Sequence, residues 1–138
     1  MFVDKPQFSG RLPKDGWIDT QPFGTSLIDG FILPMKVPLH ENYTGQVERA
    51  GGKIWRLKEV RELEQKFERK IGMIVDLADT KRYYDPTELD GIKYLKMPIN
   101  HNRKDGLPMD RIKKCVAKIK DFRDSFGEEE PKMALIHW

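Results

Sequence analysis

The stretch IGMIVDL, residues 71–77, is a run of apolar and β-branched residues of strand length. It lacks the alternation of a half-exposed strand, which is typical of a strand covered on both faces of a parallel sheet. The segment before it, RLKEVRELEQKFERK at 56–70, spaces its apolar residues by three and four, and this spacing predicts one helix with a single buried stripe. A helix followed at once by a buried strand is typical of an α/β domain.

Three later segments continue this alternation. GIKYLKMP at 91–98 alternates apolar residues with lysines and predicts a second, less deeply covered strand. A long amphipathic helix is predicted from Pro108 to about Phe126, and KMALIH at 132–137 predicts a last, buried strand. The order of elements therefore predicts an α/β fold with a largely parallel central sheet and flanking helices.

The first part of the chain has a different character. FILPMKVPL at 31–39 has the composition of a short strand, but Pro34 and Pro38 confine it to a sheet edge or an extended segment. Residues 1–30 are rich in Pro, Gly, Asp and Gln with scattered aromatic residues, which predicts an irregular arm pinned by its rings. We therefore expect an arm over 1–30 and a body over 31–138.

Composition limits the class of protein. The 138 residues carry a formal charge of +3 with 38% hydrophobic and 34% charged residues, and no apolar run approaches membrane-spanning length. The N-terminus lacks a signal-peptide pattern and Cys115 is the single cysteine, so we expect an intracellular chain without membrane contact. Nine Lys and Arg residues lie between 93 and 120, where they either face phosphates or form a solvated surface.

Polar and cationic residues follow the first buried strand. In parallel sheets, ligands bind in the crevice outside the carboxyl ends of the strands. Within DLADTKRYYDP at 76–86, Asp76 can accept loop N–H bonds, while Lys81 and Arg82 can point toward an anion. The same pattern is equally typical of a turn that starts at Asp79 and of an Arg82 paired with a nearby acid.

A second polar segment follows the second strand. NHNRKDG at 100–106 brings His101, Arg103, Lys104 and Asp105 together in a loop. Such a loop can supply a general acid and phosphate contacts. The alternative is an ordinary polar surface loop.

Other kinds of site are disfavoured by the sequence. Cys115 lies on the apolar stripe of the long helix, which predicts a small buried hydrophobic residue and not a nucleophile. His40, His101 and His137 are too scattered for a zinc site, and the glycine-rich loops that bind nucleotides are lacking. The residues alone therefore predict an α/β domain with an anion-binding edge and without a metal or cofactor.

Several stretches carry a family resemblance when they are taken together. LPKDGWIDTQPFG, FILPMKVPL, IGMIVDLADTKRYYDP, GIKYLKMP and a final apolar strand that ends in His occur in this order. Over about residues 12–138 they resemble the RNA 5′-triphosphatase domain of animal- and plant-type mRNA capping enzymes, a branch of the cysteine-dependent, dual-specificity-phosphatase-like superfamily. Ala78 and Asp79 replace the Thr and Asn of the family motif after the strand.

The resemblance implies a metal-independent hydrolase that removes the γ-phosphate from the 5′ end of nascent RNA during mRNA capping. It also implies a guanylyltransferase domain in the full-length chain, contact with the transcription machinery and a nuclear location. In the family, a His-Cys-x-x-Gly-x-x-Arg-Ser/Thr loop cradles the phosphate and carries the attacking thiolate. His137 matches the His of this loop, and Trp138 stands at the position of the nucleophile.

The resemblance therefore implies an incomplete phosphatase domain without hydrolytic activity. Its implied catalytic residues are His137, as the flank of the loop, Asp76 and Asp105. The implied contacts to phosphate or RNA are Lys81, Arg82, Arg103 and Lys104.

Three origins are compatible with this pattern. We expect a fragment or truncated gene model of a capping enzyme, ahead of a splice or frameshift product and of a dedicated pseudophosphatase. The alternative function is a non-catalytic binder of 5′-phosphorylated RNA that uses the basic face over 93–120. A dual-specificity protein phosphatase is disfavoured by the capping-type stretch at 71–86.

Overall fold

A single parallel sheet organises the chain. The computed structural model describes residues 8–14, 16–99, 109–125 and 132–138. The sheet has the order β1-β4-β2-β3, and every neighbouring pair is parallel. The predicted α/β fold with a largely parallel central sheet is therefore confirmed. The strands are β1 (Ile32–Pro34), β2 (Lys70–Asp76), β3 (Lys93–Lys96) and β4 (Lys132–His137).

The last strand occupies a central position in this sheet. The chain runs from β2 outward to β3 and then returns to insert β4 between β1 and β2. Six residue pairs link β4 to β2, and three link β4 to β1. The continuous apolar run Met133, Ala134, Leu135 is buried for this reason, because both edges and both faces of the strand are covered.

Helices cover both faces of the sheet. One apolar cluster joins Leu33, Ile74 and Leu135 to the arm and the short helices, and the other joins Met73 and Val75 to the long helix. None of the helices in the described ranges is long and apolar enough to cross a lipid bilayer. The α-helices of the described ranges are α1 (Thr44–Arg49), α2 (Leu57–Arg61), α3 (Leu63–Phe67) and α4 (Met109–Asp124).

The prediction of one helix over 56–70 is wrong, because the helix is interrupted and ends earlier. It is split into α2 and α3 at Glu62, whose N–H bonds the carbonyl of Glu59 three residues back, which tightens the turn. The second part stops before Glu68, which takes the left-handed conformation with φ 54°. The apolar stripe survives the break because Val60 and Leu63 both stay buried.

The glycine at position 72 lets α4 pack close to β2. A Cβ atom at Gly72 would lie 2.5 Å from Cζ of Phe122, a residue on the buried side of α4. Phe122 packs with Cys115 and Ile119 against the sheet. The glycine therefore allows the helix to approach the strand directly.

The arm is attached by aromatic and hydrogen-bonded contacts. Trp17 is buried, and its indole N–H donates to the carbonyl of Val37 at 2.9 Å. Phe8 stacks on the ring of His40 with centroids 4.3 Å apart. The arm thereby lies against the segment that follows β1, at the same edge of the sheet as the carboxyl ends of the other strands.

Candidate functional site at the carboxyl edge of the sheet

Asp76 is the buried acid at the end of β2. Its Oδ1 atom accepts a hydrogen bond from the N–H of Ala78 at 2.9 Å. Its Oδ2 atom accepts hydrogen bonds from the Lys96 ammonium at 3.1 Å and from the hydroxyl of Tyr94. Lys96 stands opposite Asp76 in the β2–β3 register, so the pairing of the strands creates the ion pair. Asp76 is only 3% exposed, and these hydrogen-bond donors replace the water molecules that burial removes from its carboxylate.

The same lysine organises the loop after β2. The Lys96 ammonium also donates to the carbonyl of Thr80 at 2.8 Å. The Oγ1 atom of Thr80 in turn accepts the N–H of Arg82 at 3.3 Å. The course of the loop is therefore tied to the ion pair beneath it.

His137 lies beside Asp76 at the end of β4. The two residues are register partners, and Nε2 of His137 is 3.7 Å from Oδ1 of Asp76. The hydroxyl of Tyr84 shares a hydrogen bond with Nε2 at 2.7 Å. Within the part of the chain that the structure describes, Nδ1 of this buried ring has no hydrogen-bond partner.

Burial determines the protonation of these groups. It lowers the pKa of His137 to about 4, against the opposing attraction of Asp76, so the ring is neutral at pH 7. Burial also raises the pKa of Tyr84 and of Tyr94, so both phenols keep their protons. The site therefore holds a neutral imidazole next to a carboxylate that is paired with a lysine.

A cleft of about 530 Å³ opens next to these residues. Its walls come from the loop after β2, the end of β4, the segment after β1 and the arm. They are mostly apolar, with the two lysines Lys14 and Lys36 and the acid Asp79 among them, and a few polar groups in an apolar cleft are typical of a ligand pocket. The walls include Lys14, Trp17, Phe23, Lys36, Ala78, Asp79, Thr80, Tyr83, His137 and Trp138.

The predicted site residues are brought together only in part. Asp76 and His137 meet, as the strand-end argument requires. Lys81 is exposed and, like Arg82, is not part of the cleft wall. The guanidinium of Arg82 donates to the carbonyl of Arg11 at 2.6 Å and to the hydroxyl of Tyr83 at 2.9 Å, and so holds the arm. His101, Arg103, Lys104 and Asp105 lie outside the described residues.

Cys115 is buried on α4, as the sequence predicts. Burial raises the pKa of its thiol, which disfavours the thiolate. It lines an apolar groove beside α4, together with Ile112, Val116 and Ile119, and this groove adjoins the cleft at Ile136 and Trp138. The single cysteine of the chain is therefore neither activated nor part of the cleft that contains His137.

Several residues of the site were missed from the sequence. Tyr94 and Lys96 are two apart on β3, so they share a face, but only the pairing with β2 places that face on Asp76. Tyr84 lies in the stretch 71–86, but no local signal there pairs it with His137 on the distant β4. Lys36 follows β1 by two residues, within a segment whose sequence predicts only an extended edge.

No group of three His, Cys, Asp or Glu side chains within the described ranges is placed to hold a metal ion.

Comparison with known proteins gives one informative similarity. No protein-family model matches the chain. The chain is 32% identical, over 145 aligned residues, to a Caenorhabditis elegans protein named RNA/RNP complex-1-interacting phosphatase homolog. The aligned region covers 99% of this chain and 60% of that protein. Together with the fold, the similarity supports a phosphatase-like domain and does not single out the capping enzymes.

Proposed function

We propose that the chain forms the substrate-binding part of a phosphatase-like domain that acts on the 5′-triphosphate end of RNA. The observation that carries the proposal is the placement of His137 next to Asp76, at the carboxyl ends of the two central strands and beside a cleft whose walls include Lys14 and Lys36. A crevice at this edge is where parallel sheets bind ligands. The name of the C. elegans protein, which joins RNA to phosphatase, supports the same substrate class.

The proposal separates binding from hydrolysis. Removal of a γ-phosphate through a covalent intermediate requires an activated nucleophile. Cys115 is buried and does not line the cleft, and the indole of Trp138 has no lone pair available for attack on phosphorus. Within the described ranges, we therefore expect the residues of the cleft to bind the phosphates, and no cysteine lies among its walls.

Binding and phosphate release can be measured on the same sample. The purified chain is titrated with RNA that carries a 5′-triphosphate and with the same RNA ending in a 5′-hydroxyl. We expect tighter binding of the triphosphate form, with an affinity that falls as salt is added. We also expect no orthophosphate release. Equal affinity for the two RNAs would contradict the proposed substrate, and release by the pure chain would contradict the separation of binding from hydrolysis.

A non-catalytic RNA binder that uses the basic face over 93–120 is the second candidate. The exposed lysines of α4, Lys113, Lys114, Lys118 and Lys120, favour it. Replacing Lys114 and Lys118 by Glu distinguishes the two. Loss of binding to both RNAs identifies α4 as the main contact, whereas an unchanged preference for the triphosphate identifies the cleft.

The same proposal includes the capping reaction and a guanylyltransferase partner domain. It also includes contact with the transcription machinery and a nuclear location. They rest on the family resemblance of the stretches at 11–24 and 71–86. The chain spans about 60% of the length of the C. elegans protein that it matches. Purification of the full-length protein with its bound partners is the direct measurement for this group of proposals.

A further inference from the structure

Lys36 is a cation at the carboxyl edge of the sheet that the family resemblance does not assign. It follows β1 by two residues, so it lies at the same edge as Asp76 and His137. It lines the cleft together with His137. Lys36 is therefore part of the wall of the crevice where a ligand of the sheet binds, and its ammonium contacts Trp17, another residue of that wall.

Both the backbone and the side chain of Lys36 are held in place. Its N–H donates to the carbonyl of Pro22 at 2.9 Å, and its carbonyl accepts the indole N–H of Trp55 at 2.9 Å. Its ammonium lies 3.8 Å from the centre of the Trp17 ring and donates to the Trp17 carbonyl at 2.9 Å. A lysine fixed in this way loses little further side-chain freedom when it binds a ligand.

The charge of Lys36 is only partly compensated by the protein. The residue is half-buried, and within the described residues it forms no ion pair with a carboxylate. Burial lowers its pKa, and the attraction of Asp19 only opposes that shift. An anion bound in the cleft would replace the lost water and stabilise the ammonium, as in other charge-assisted contacts.

We propose that Lys36, seated on Trp17, binds the terminal phosphates of the RNA 5′ end in the cleft. Lys14, which is exposed and lines the same cleft, is the second cation for this anion. The inference rests on the proposed function for the identity of the ligand. The contacts of Lys36 themselves require only that the ligand carry negative charge.

The purified chain tests this inference with inorganic tripolyphosphate and with the two RNAs described above. Lys36→Met keeps the aliphatic stem on Trp17 and removes the charge. Lys53→Met removes one charge from an exposed position outside the cleft and serves as the matched control. We expect Lys36→Met to lose about tenfold or more in affinity for tripolyphosphate and for triphosphate RNA, as is usual for a charge-assisted contact. Lys53→Met should lose much less.

A second measurement uses the unsubstituted chain, so its result does not depend on whether the Lys36→Met variant folds. The side-chain NMR resonance of Lys36 should move on addition of tripolyphosphate, and its pKa should rise, while the Lys53 resonance stays in place. Lys36→Arg, which keeps the charge over Trp17, should retain more of the affinity than Lys36→Met.

The outcomes separate this inference from the proposed function. If triphosphate RNA binds and Lys36→Met behaves like Lys53→Met, the inference is wrong and the proposed function stands. If tripolyphosphate binds through Lys36 but the two RNAs bind equally, the anion site stands and the proposed substrate is wrong. If the unsubstituted chain binds neither ligand, both are wrong.

Discussion

His137 and Asp76 are register partners on the two central strands, and Nε2 of the histidine lies 3.7 Å from Oδ1 of the aspartate. Each has its own further partner. The histidine bonds to Tyr84, and the aspartate bonds to Lys96. The pair is therefore a neutral base beside a compensated carboxylate, and its two members respond differently to substitution and to pH.

Replacement of Asp76 by Asn should destabilise the fold by about 3 kcal/mol. The change leaves the largely buried Lys96 ammonium without its charge partner, and such uncompensated charge is costly. Urea unfolding of both proteins measures the difference. Asp79→Asn, which changes an exposed acid of the same loop, is the control and should alter stability by less than about 0.5 kcal/mol. Equal effects of the two changes would contradict the burial of the Asp76 ion pair.

Stability should fall with acidification between pH 6.5 and pH 4 because of His137. Its pKa lies at about 4 in the folded chain and near 6.5 in the unfolded chain, so the unfolded state binds the proton first. This contribution is complete above pH 6.5 and is lost as the pH falls toward 4, by up to about 3 kcal/mol.

The slope of unfolding free energy between pH 5 and pH 6.5 isolates this effect from the carboxylates. We expect a His137→Asn variant to show a flatter slope in that window. A proton NMR titration of the unsubstituted chain gives the second readout. A His137 resonance that titrates near pH 6.5 would rule out the buried, neutral ring.

Cys115 should react slowly with thiol reagents in the native chain. Burial raises its pKa and blocks access, so the reaction depends on opening of the fold. A Cys115→Ser variant with Lys120→Cys presents a thiol on the exposed side of the same helix and is the comparison. We expect labelling of this control to be about a hundredfold faster. Equal rates would show an accessible Cys115.

Arg82→Met should loosen the arm. The guanidinium joins the carbonyl of Arg11 to the hydroxyls of Tyr43 and Tyr83, and its loss removes these contacts at a cost of about 1 to 2 kcal/mol. Hydrogen exchange of the arm should become faster in this variant. Lys81→Met, beside it in the exposed loop, should leave exchange unchanged.

The same two variants address the phosphate contacts implied by the family resemblance. Loss of triphosphate RNA binding with an unchanged arm would assign Arg82 to the ligand. A loosened arm with retained binding would assign it to the fold.

Gly72→Ala should destabilise the chain by about 2 kcal/mol, because the added Cβ meets the Phe122 ring at 2.5 Å and forces α4 away from β2. Gly24→Ala is the control, since its Cβ would stand 3.6 Å from Pro34, an ordinary contact. Thermal unfolding compares the two. A Gly72→Ala variant as stable as the control would show that α4 does not approach β2 this closely.

The sheet was predictable because its strands carry local signals. The unbroken apolar runs in β2 and β4 reflect burial on both faces, and the proline-limited segment lies at the edge as β1. The apolar face of α4 was equally predictable from the spacing of its apolar residues. The break at Glu62 was not, because the apolar spacing on either side of it is that of one continuous helix.

The site was predictable only at the ends of the strands. Asp76 and His137 follow from the rule that carboxyl ends share an edge. Their partners do not, because Lys96 reaches Asp76 only through the β2–β3 register, and Lys36 reaches the cleft only when Trp17 of the arm packs beneath it. Contacts between distant segments depend on tertiary placement, which spacing within one segment does not encode.

The central position of β4 has a consequence for synthesis. A ribosome delivers β1, β2 and β3 before the strand that joins β1 to β2 exists, so the nascent chain holds an unfilled gap in its sheet. Parallel pairing over such sequence separations is slow and leaves apolar strand edges open to other chains. We expect nascent chains that end before Lys132 to depend on chaperones and to become protease-resistant only after His137 leaves the exit tunnel.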